Sequence, residues 1–416
     1  MGHIQDRWYR QKVDPETGQP VFTPSGRPVL EKTERHGIGM RYKVRYLSPD
    51  NKERSKSFPD RQKRQAEDFL IGVEADKREG RYIDPAASVV TFRQQAENWL
   101  KGQSPDPGTR EVLRSRLTSR IYPSFGDVRV GRITPSMVRD WLGELDERRC
   151  ASNYQVALFT LVSAVLDAAV DDRLIRDNPC KAKTVRRPVG TSPRVVVWTE
   201  KRVHAVRAGL GERFGVVVPL GSGLGLRQGE ILAISPDDID RAAQVAVIQR
   251  QLKTVNGVQM FALPKGGKTR TVPVSGGLLD VLDEYGEQFP PVEVKLPWRV
   301  PDGEQVAARL MVTGENGRLY SGDLFTKVVW QNAFKAAGLT YRRRTDGMHG
   351  LRHFYASTLL SRGVSIKEVA EYLGHADAGF TLRTYTHLVP SSHERARQAV
   401  DAVFGSESDG PETARS

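Results

Sequence analysis

Four residues near the C-terminal end of the chain have side chains that can act on phosphate esters. They are His349, Arg352, His375 and Tyr385. An arginine fork matches two phosphate oxygens, and a tyrosine hydroxyl is a nucleophile that forms covalent intermediates. No acidic residue has the neighbours that a metal site or a serine-type triad would need. We therefore predict that a tyrosine, assisted by cations, attacks a phosphate.

A glycine-containing segment far upstream carries another arginine. Residues 221–227 read Gly-Ser-Gly-Leu-Gly-Leu-Arg and follow an apolar run. The GxGxG spacing differs from the GxGxxG of dinucleotide-binding turns, so a nucleotide-dependent oxidoreductase is a weak alternative. We predict instead a tight turn that delivers Arg227 to the start of a helix carrying Glu230.

A basic loop is predicted between two short strands at residues 264–270, Pro-Lys-Gly-Gly-Lys-Thr-Arg. One interpretation is a hairpin tip that is simply solvated. The other is a mobile lysine that enters a site as a proton donor, for which Lys265 and Lys268 both qualify.

Two histidines, His349 and His353, are spaced as zinc ligands on one helical face could be. The glutamate of the zinc-protease pattern is missing between them, and Arg352 would place a cation beside the metal. We therefore predict no metal and no other cofactor, and interpret His353 as a packed or surface histidine. His349 and Arg352, three residues apart, should point the same way.

Composition favours a protein of more than one domain with a polyanionic partner, although charge alone does not separate nucleic acid from lipid. The 416 residues are enough for two or three domains of roughly 100–200 residues. A net charge of +13 favours polyanionic partners. We identified no apolar run of the roughly 18 residues that a membrane span needs, and no signal core, so we expect a cytoplasmic protein without a membrane partner. Cys150 and Cys180 are interpreted as buried or free thiols.

Residues 1–80 are predicted to form a small sheet backed by one helix. Apolar and basic residues alternate from Met40 to Tyr46, which is the period of a half-buried strand. Residues 35–64 carry ten Lys or Arg against three acids, so we predict a basic strand face. The residues predicted to contact phosphates, here and in a later basic linker, are Arg41, Lys43, Arg45, Arg54, Lys56, Arg186 and Arg187.

The remaining chain is divided by linkers. Residues 80–90 are predicted to be a linker and residues 91–178 a four-helix unit. Residues 179–198 form a basic linker that either crosses a phosphate backbone or is a solvated tether. Residues 199–404 are predicted to be mixed but mostly helical, and residues 405–416 to be a disordered tail.

Helix starts are predicted from capping residues, and Gly374 suits a helix end. The caps are Thr91, Thr134 before Pro135, Ser152 with Gln155, Ser365 with Glu368, and Ser391 with Glu394. Short strands are predicted at residues 245–248, 261–263 and 271–274.

Four motifs together resemble the boxes of the tyrosine recombinases, or phage integrases. The motifs are Gly-Leu-Arg-Gln-Gly-Glu, His-Gly-Leu-Arg-His, Leu-Gly-His and Tyr-Thr-His. The resemblance covers about residues 91–404 and implies a mainly helical multidomain protein with small sheets. Residues 91–178 would be a helical, SAM-like core-binding domain and residues 199–404 a mixed α/β catalytic domain. The basic sheet of residues 1–80 resembles the arm-type DNA-binding domain of integrases.

The resemblance also implies a role for each site residue. The implied catalytic set is Arg227, Lys265, His349, Arg352, His375 and Tyr385. Tyr385 would form a 3′-phosphotyrosine and release a 5′-hydroxyl. Arg227 and Arg352 would hold the nonbridging oxygens, and His375 would hydrogen-bond the phosphate. Lys265, or Lys268 in its place, would protonate the leaving oxygen. His349 would assist proton transfer with Tyr385, and Glu230 would support the site.

The implied function is integration, and also excision, of a phage or mobile element in the cytoplasm and nucleoid of a bacterial host. The expected partners are double-stranded DNA with core and arm attachment sites and three further copies of the chain on a Holliday junction. The need for an excisionase and a host DNA-bending protein stays open. A type IB topoisomerase and a non-catalytic DNA-binding relative are the alternatives. The N-terminal module weighs against the first, and the filled active-site positions weigh against the second.

Overall fold

The computed structural model describes residues 2–49, 51–79, 82, 89–191, 195–343, 345–375, 377–385, 397, 400, 401 and 403. Two compact units are present, one of residues 1–105 and 112–191 and one of residues 106–111 and 192–416. The fold is mainly helical with small sheets, which confirms the predicted fold class. Most of the linker predicted at residues 80–90, the helix predicted to begin at Ser391 and the predicted tail lie outside the described residues.

The N-terminal part of the first unit contains two small sheets and one helix. Its elements are β1 His3–Asp6, β2 Tyr9–Gln11, β3 Leu30–Lys32, β4 Tyr42–Leu47, β5 Glu53–Phe58 and α1 Lys63–Arg78. Antiparallel β1, β4 and β5 form one sheet in the order β1–β4–β5, and β2 pairs with β3. Tyr42, Val44 and Tyr46 are buried in one cluster with Ala66 and Val73 of α1, which confirms the predicted alternation for these three residues. Met40 lies before β4 and is exposed, so its place in that pattern was wrong.

Strand register separates the basic residues of β4 from those of β5. Cross-strand partners share a face of the sheet. Arg54 and Lys56 pair with buried residues of β4, whereas Lys43 and Arg45 pair with serines of β5. The Lys56 ammonium lies 4.5 Å from the ring centroid of Phe69 on α1. The predicted basic face is therefore divided between the two sides of the sheet.

Residues 91–178, predicted to be a four-helix unit, are helical but contain five α-helices. The helices are α2 Phe92–Gly102, α3 Pro107–Arg116, α4 Tyr122–Phe125, α5 Pro135–Glu147 and α6 Ser152–Asp171, with a π-helical turn at Leu117–Ile121 and 3₁₀ turns at Val130–Arg132 and Pro179–Lys181. Thr91 forms the predicted cap, and its hydroxyl accepts from the backbone N–H of Gln94. Thr134 likewise accepts from the backbone N–H of Met137, and Pro135 follows it.

The capping box predicted for Ser152 and Gln155 is wrong. Helix α6 begins one residue earlier than that box requires, because Ala151 and not Ser152 is its N-cap. The Gln155 amide instead donates to Asp146 Oδ1 at 2.7 Å and to the Cys150 carbonyl at 3.0 Å. These bonds tie α6 to the end of α5, an interaction that a local sequence rule cannot supply.

Helix α6 is apolar because it is the core of the helical region. Among the described residues it is the one helix long and apolar enough to span a membrane, with a mean hydropathy of 1.4. The sequence predicted a helix here, but its 20-residue segment was not identified as long and apolar enough for a membrane span. Its buried side chains include Leu158, Val162, Val165 and Leu166, which pack in one cluster with α2 and α5.

The second unit contains most of the remaining elements. The helices are α7 Glu200–Gly209, α8 Gly211–Gly215, α9 Val217–Leu224, α10 Gln228–Ile231, α11 Gly276–Gln288, α12 Gly322–Phe325, α13 Gln331–Ala336, α14 His349–Ser361, α15 Ile366–Leu373 and α16 Ala378–Tyr385. The strands are β6 Ile239–Asp240, β7 Val245–Ile248, β8 Gln251–Val255, β9 Val258–Ala262, β10 Arg270–Pro273, β11 Val292–Pro297 and β12 Gln305–Leu310. Antiparallel pairing gives sheets β10–β7–β6, β8–β9 and β11–β12.

The basic loop at residues 264–270 connects strands of two different sheets. Strand β9 pairs with β8, whereas β10 pairs with β7. The alternative of a hairpin tip is therefore wrong in geometry, although Lys265 and Lys268 are both exposed. The capping box of Ser365 and Glu368 and the left-handed helix end at Gly374, with φ 62°, are confirmed.

Candidate active site

Arg227 is positioned by the turn between α9 and α10. Gly225 ends α9 in the left-handed region at φ 61°, and a Cβ there would lie 2.5 Å from the ring of Tyr355. Arg227 follows as the N-cap of α10, and its backbone N–H donates to Glu230 Oε2 at 2.9 Å. The predicted tight turn into a helix carrying Glu230 is confirmed, and the apolar run before it is helical.

A buried ion-pair network fixes the guanidinium of Arg227. Glu230 is 1% exposed and accepts from Arg227 Nη1 at 2.9 Å. Arg270 grips the same carboxylate with both terminal nitrogens, at 2.9 and 2.7 Å, and donates from Nε to the Tyr372 carbonyl. Burial raises the pKa of Glu230, but the hydrogen bonds and charges of Arg270 and Arg227 outweigh it and the pKa is lowered.

Arg270 was missed by the sequence analysis. It is the last residue of the basic segment and the first residue of β10, and its position directly before the strand predicted at residues 271–274 was the available signal. Its side chain joins the Arg227 box to the end of α15, because Tyr372 lies there. The network therefore positions two of the predicted boxes against each other.

Arg352 lies on α14 and is a buried cation, 1% exposed. Nη1 donates to the Gly225 carbonyl at 2.7 Å, and Nη2 donates to the Leu373 carbonyl. Arginine has five guanidinium N–H groups, so these two bonds leave others available to bind a ligand. Burial and the charge of Arg227 lower its pKa to about 9, so it stays protonated at neutral pH.

No carboxylate forms an ion pair with Arg352 among the described residues. A buried charge without a counter-charge is costly, and such groups gather at functional sites. The arrangement is suited to receive an anion.

His349 opens α14 and is partly open to solvent. Desolvation by the surrounding protein, followed by the charges of Arg352 and Arg227, lowers its pKa to about 4. The imidazole is therefore neutral at pH 7. The charge of Lys265 also lowers the pKa of His349, so the Lys265 ammonium lies within electrostatic range of the site.

His375 directly follows the end of α15. Its Nδ1 lies 2.7 Å from Oγ1 of the fully buried Thr381 on α16. Burial, then the charges of Arg352 and Arg227, lower its pKa to about 4. Arg227 Nη2 donates to the carbonyl of the preceding Gly374 at 3.3 Å. The Arg227 side chain is therefore bonded to the backbone immediately before His375.

Tyr385 is the last residue of α16 and is 2% exposed. Burial raises its pKa to about 12, although the charge of Arg352 acts in the opposite direction. Its hydroxyl lies 2.6 Å from Nδ1 of His353. The sequence analysis did not assign this contact to His353.

His349 and His353 do not form part of a metal-ligand group among the residues the structure describes. Their rings meet edge to face with centroids 4.5 Å apart. The structure thus brings together Arg227, His349, Arg352, His375 and Tyr385 through shared contacts and charges, with Lys265 in the adjoining loop.

The predicted phosphate-binding residues outside this site have varied surroundings. Arg41 is bonded to Asp6 at 2.8 Å and to Asp60 at 3.0 Å, so its charge is paired within the N-terminal sheet. Lys43 and Arg45 line a groove of about 530 Å³ in that region. The linker residues Arg186 and Arg187 are exposed.

Comparison with known proteins agrees with this fold. Residues 213–391 match the model of the phage integrase family. A tyrosine recombinase XerC-like protein of Caldanaerobacter subterraneus subsp. tengcongensis is 26% identical over 374 residues, covering 84% of this chain and 92% of that protein. The integrase of Mycobacterium phage L5 is 25% identical over 297 residues, covering 70% of this chain and 73% of that protein.

Solved structures share the fold. The Tn1549 transposon integrase in complex with transposon right end DNA superposes with a TM-score of 0.61 at 18% identity, covering 76% of this chain and all of the other. A lambda integrase tetramer bound to a Holliday junction gives 0.53 at 16% identity, covering 80% of this chain and 93% of that one. The family match over residues 213–391, the relatives and the shared fold together support assignment of the chain to the tyrosine recombinases.

Proposed function

We propose that this protein is a site-specific DNA recombinase that cuts and rejoins DNA through a 3′-phosphotyrosine at Tyr385. The observation that carries this proposal is the buried, unpaired charge of Arg352, within electrostatic range of both Arg227 and Tyr385. A nucleophile beside preorganised cations suits attack on an anionic phosphodiester.

Phosphate binding follows from the two guanidiniums. Arg227 and Arg352 hold the nonbridging oxygens, where charge builds in the transition state. His375 donates a further hydrogen bond from Nε2, because Nδ1 is engaged with Thr381. Lys265 protonates the leaving 5′ oxygen, which its exposed loop allows it to reach from outside the buried cluster.

Energy for rejoining comes from the covalent intermediate. The phosphotyrosine ester conserves the energy of the phosphodiester bond that was broken. The reverse attack by a 5′-hydroxyl therefore closes the strand without ATP. The pKa of about 12 keeps Tyr385 protonated in the free protein. Attack therefore requires a group that takes the phenol proton.

DNA binding by the N-terminal region is proposed for the groove that contains Lys43 and Arg45. Its basic lining residues are Arg7, Arg10, Lys32, Arg35, Lys43 and Arg45, against the acids Asp6 and Glu34. Such a lining favours a phosphate backbone. Arg41, paired with Asp6 and Asp60, would hold the groove wall and not contact DNA itself.

The likeness to integrases supports a biological setting for this chemistry. We propose that the chain acts as a homotetramer on a Holliday junction and integrates a phage or other mobile element. The lambda integrase structure is a tetramer on such a junction. Phage integrases are among the relatives.

The test is covalent trapping. The full chain is incubated with a supercoiled plasmid that carries the DNA flanking its own coding sequence, and the reaction is quenched with SDS. We expect a protein–DNA adduct and recombinant products with wild-type protein, and neither with Tyr385→Phe. An adduct that survives Tyr385→Phe would overturn the proposal. Relaxation of the plasmid without recombinants at any partner site would favour the topoisomerase alternative.

The proton donor is tested by a matched pair of loop variants. We expect Lys265→Ala to lose strand cleavage. Lys268→Ala, three residues further along the same exposed loop, is its control and should keep strand cleavage. Loss with Lys268→Ala alone would reassign the donor.

A further inference from the structure

His353 occupies the position next to the nucleophilic oxygen. Its Nδ1 lies 2.6 Å from the Tyr385 hydroxyl, and the two ring centroids are 5.6 Å apart. The histidine is supplied by α14 and the tyrosine by α16, so the contact is set by helix packing. It is also the one hydrogen bond of the Tyr385 hydroxyl among those of the described residues.

His349 is placed differently from His353. It lies one helical turn earlier on α14, more open to solvent, with its ring edge to face against His353. The hydrogen bonds of the described residues join Tyr385 to His353 and do not join it to His349. The residue expected from the resemblance to handle the tyrosine proton is therefore not the one that contacts it.

We propose that His353 is a catalytic residue that accepts the phenol proton of Tyr385 during strand cleavage. This inference rests on the proposed recombinase function. As Tyr385 Oη forms its bond to phosphorus, its proton passes to His353 Nδ1. The bond from phosphorus to the 5′ oxygen breaks, and that oxygen takes a proton from Lys265. Rejoining runs the same transfers backwards, so each group returns to its starting state.

The charges around His353 disfavour its protonation in the free protein, so we expect it to accept a proton only when DNA is bound. The groups that face it are His349 and Arg352 on its own helix, Tyr385 on α16, and His375, which follows α15. The ring is neutral in the free protein, because burial and the charges of His349 and Arg352 lower its pKa to about 3. A neutral ring with its proton on Nε2 leaves Nδ1 free to accept. A phosphate anion held by Arg352 would offset that positive charge and make protonation of His353 easier.

The experiment compares His353→Asn with wild type in the full chain. Asparagine can retain a hydrogen-bonding atom near the Nδ1 position but cannot accept a proton at neutral pH. The rate of adduct formation is measured from pH 6 to pH 10 on the plasmid described above. His204→Asn, at an exposed histidine on α7, is the matched control. Thermal unfolding of each variant reports whether the fold is kept.

We expect His353→Asn to slow adduct formation by about 10²–10⁴-fold near pH 7. The deficit should shrink as pH rises, because hydroxide then replaces the missing base. His204→Asn should behave as wild type. A His353→Asn protein with the wild-type rate and pH profile would refute the role of His353 while leaving the recombinase proposal intact. A wild-type protein that forms no adduct would instead refute the recombinase proposal.

A second substrate separates the two ends of the reaction. In DNA with sulfur in place of the leaving 5′ oxygen, departure needs no proton donor. This substrate should restore cleavage to Lys265→Ala but not to His353→Asn. Restoration of both variants would place His353 on the leaving-group side and overturn the assignment, even if His353→Asn were less stable than wild type.

Discussion

Two groups of cations in this protein differ in how far they are removed from water. In the N-terminal groove, the Arg45 side chain is 38% exposed and pairs with Glu53. In the second unit, Arg352 is 1% exposed and forms no ion pair among the described residues. Exposed cations interact with phosphate through screened charge, which tolerates imprecise geometry. A buried cation acts in a low-dielectric setting, so its position decides its effect.

The contrast also explains how the two groups are built. The groove needs only enough basic residues on one side of a strand. The buried group needs a carboxylate, Glu230, to hold Arg227, and backbone carbonyls to orient Arg352. If the distinction is correct, variants in the second unit should act through geometry and those in the groove through charge alone.

The largest effect is expected for Glu230→Gln. It removes the charge that two arginines share at the centre of the network, and breaking a buried pair costs about 3–5 kcal/mol of unfolding free energy. The lowered pKa of Glu230 stabilises the fold above the pKa of the unfolded chain, near 4.5, and this stability is lost as pH falls below it. Urea unfolding from pH 7 to pH 3 should show a smaller acid dependence for Glu230→Gln than for wild type. Equal dependence would mean that Glu230 does not anchor the network.

Arg352→Lys should be the next in size. Lysine keeps the charge but cannot make both carbonyl bonds and hold a phosphate, so adduct formation should fall by roughly 10²–10³-fold. Binding of the same DNA, measured by gel shift, should change little, because the groove and other cations remain. If binding and cleavage fell together, the buried and exposed groups would not be separate in function.

A smaller effect is expected from protonation of the buried histidines. His353 has a pKa of about 3 in the folded chain against 6.5 in the unfolded chain. Its stabilising contribution is therefore complete above pH 6.5 and is lost as pH falls toward 3. At pH 5 the loss should be about 1–2 kcal/mol. His353→Asn should show that much less destabilisation between pH 7 and pH 5 in urea unfolding, and His204→Asn should match wild type.

The smallest effect is expected in the groove. The double change Lys43→Ala and Arg45→Ala should weaken DNA binding and reduce the slope of log affinity against log salt by up to about 2, without slowing cleavage at saturating DNA. Lys63→Ala with Arg64→Ala, exposed on α1, is a control of equal charge. A similar loss in both double variants would indicate that total charge and not the groove decides binding.

Local patterns in the sequence predicted much of this structure. Thr91, Thr134 and Ser365 act as caps because a cap is satisfied within its own first turn. The alternation in β4 placed Tyr42 and Val44 in the core for the same local reason. Where the nearest partner was not local, as for Gln155 bonding back to α5, the prediction failed.

The motifs determined the family and the six predicted site residues, because their residue types and order are properties of the chain itself. Tertiary structure alone decided which of those residues meet. Arg270 reaches Glu230 across 40 residues, and His353 reaches Tyr385 across 32. Such contacts depend on the packing of α15 against β10, α14 and α16, which no periodicity encodes. The sequence therefore predicted the nucleophile, and tertiary packing placed beside it the histidine proposed to accept its proton.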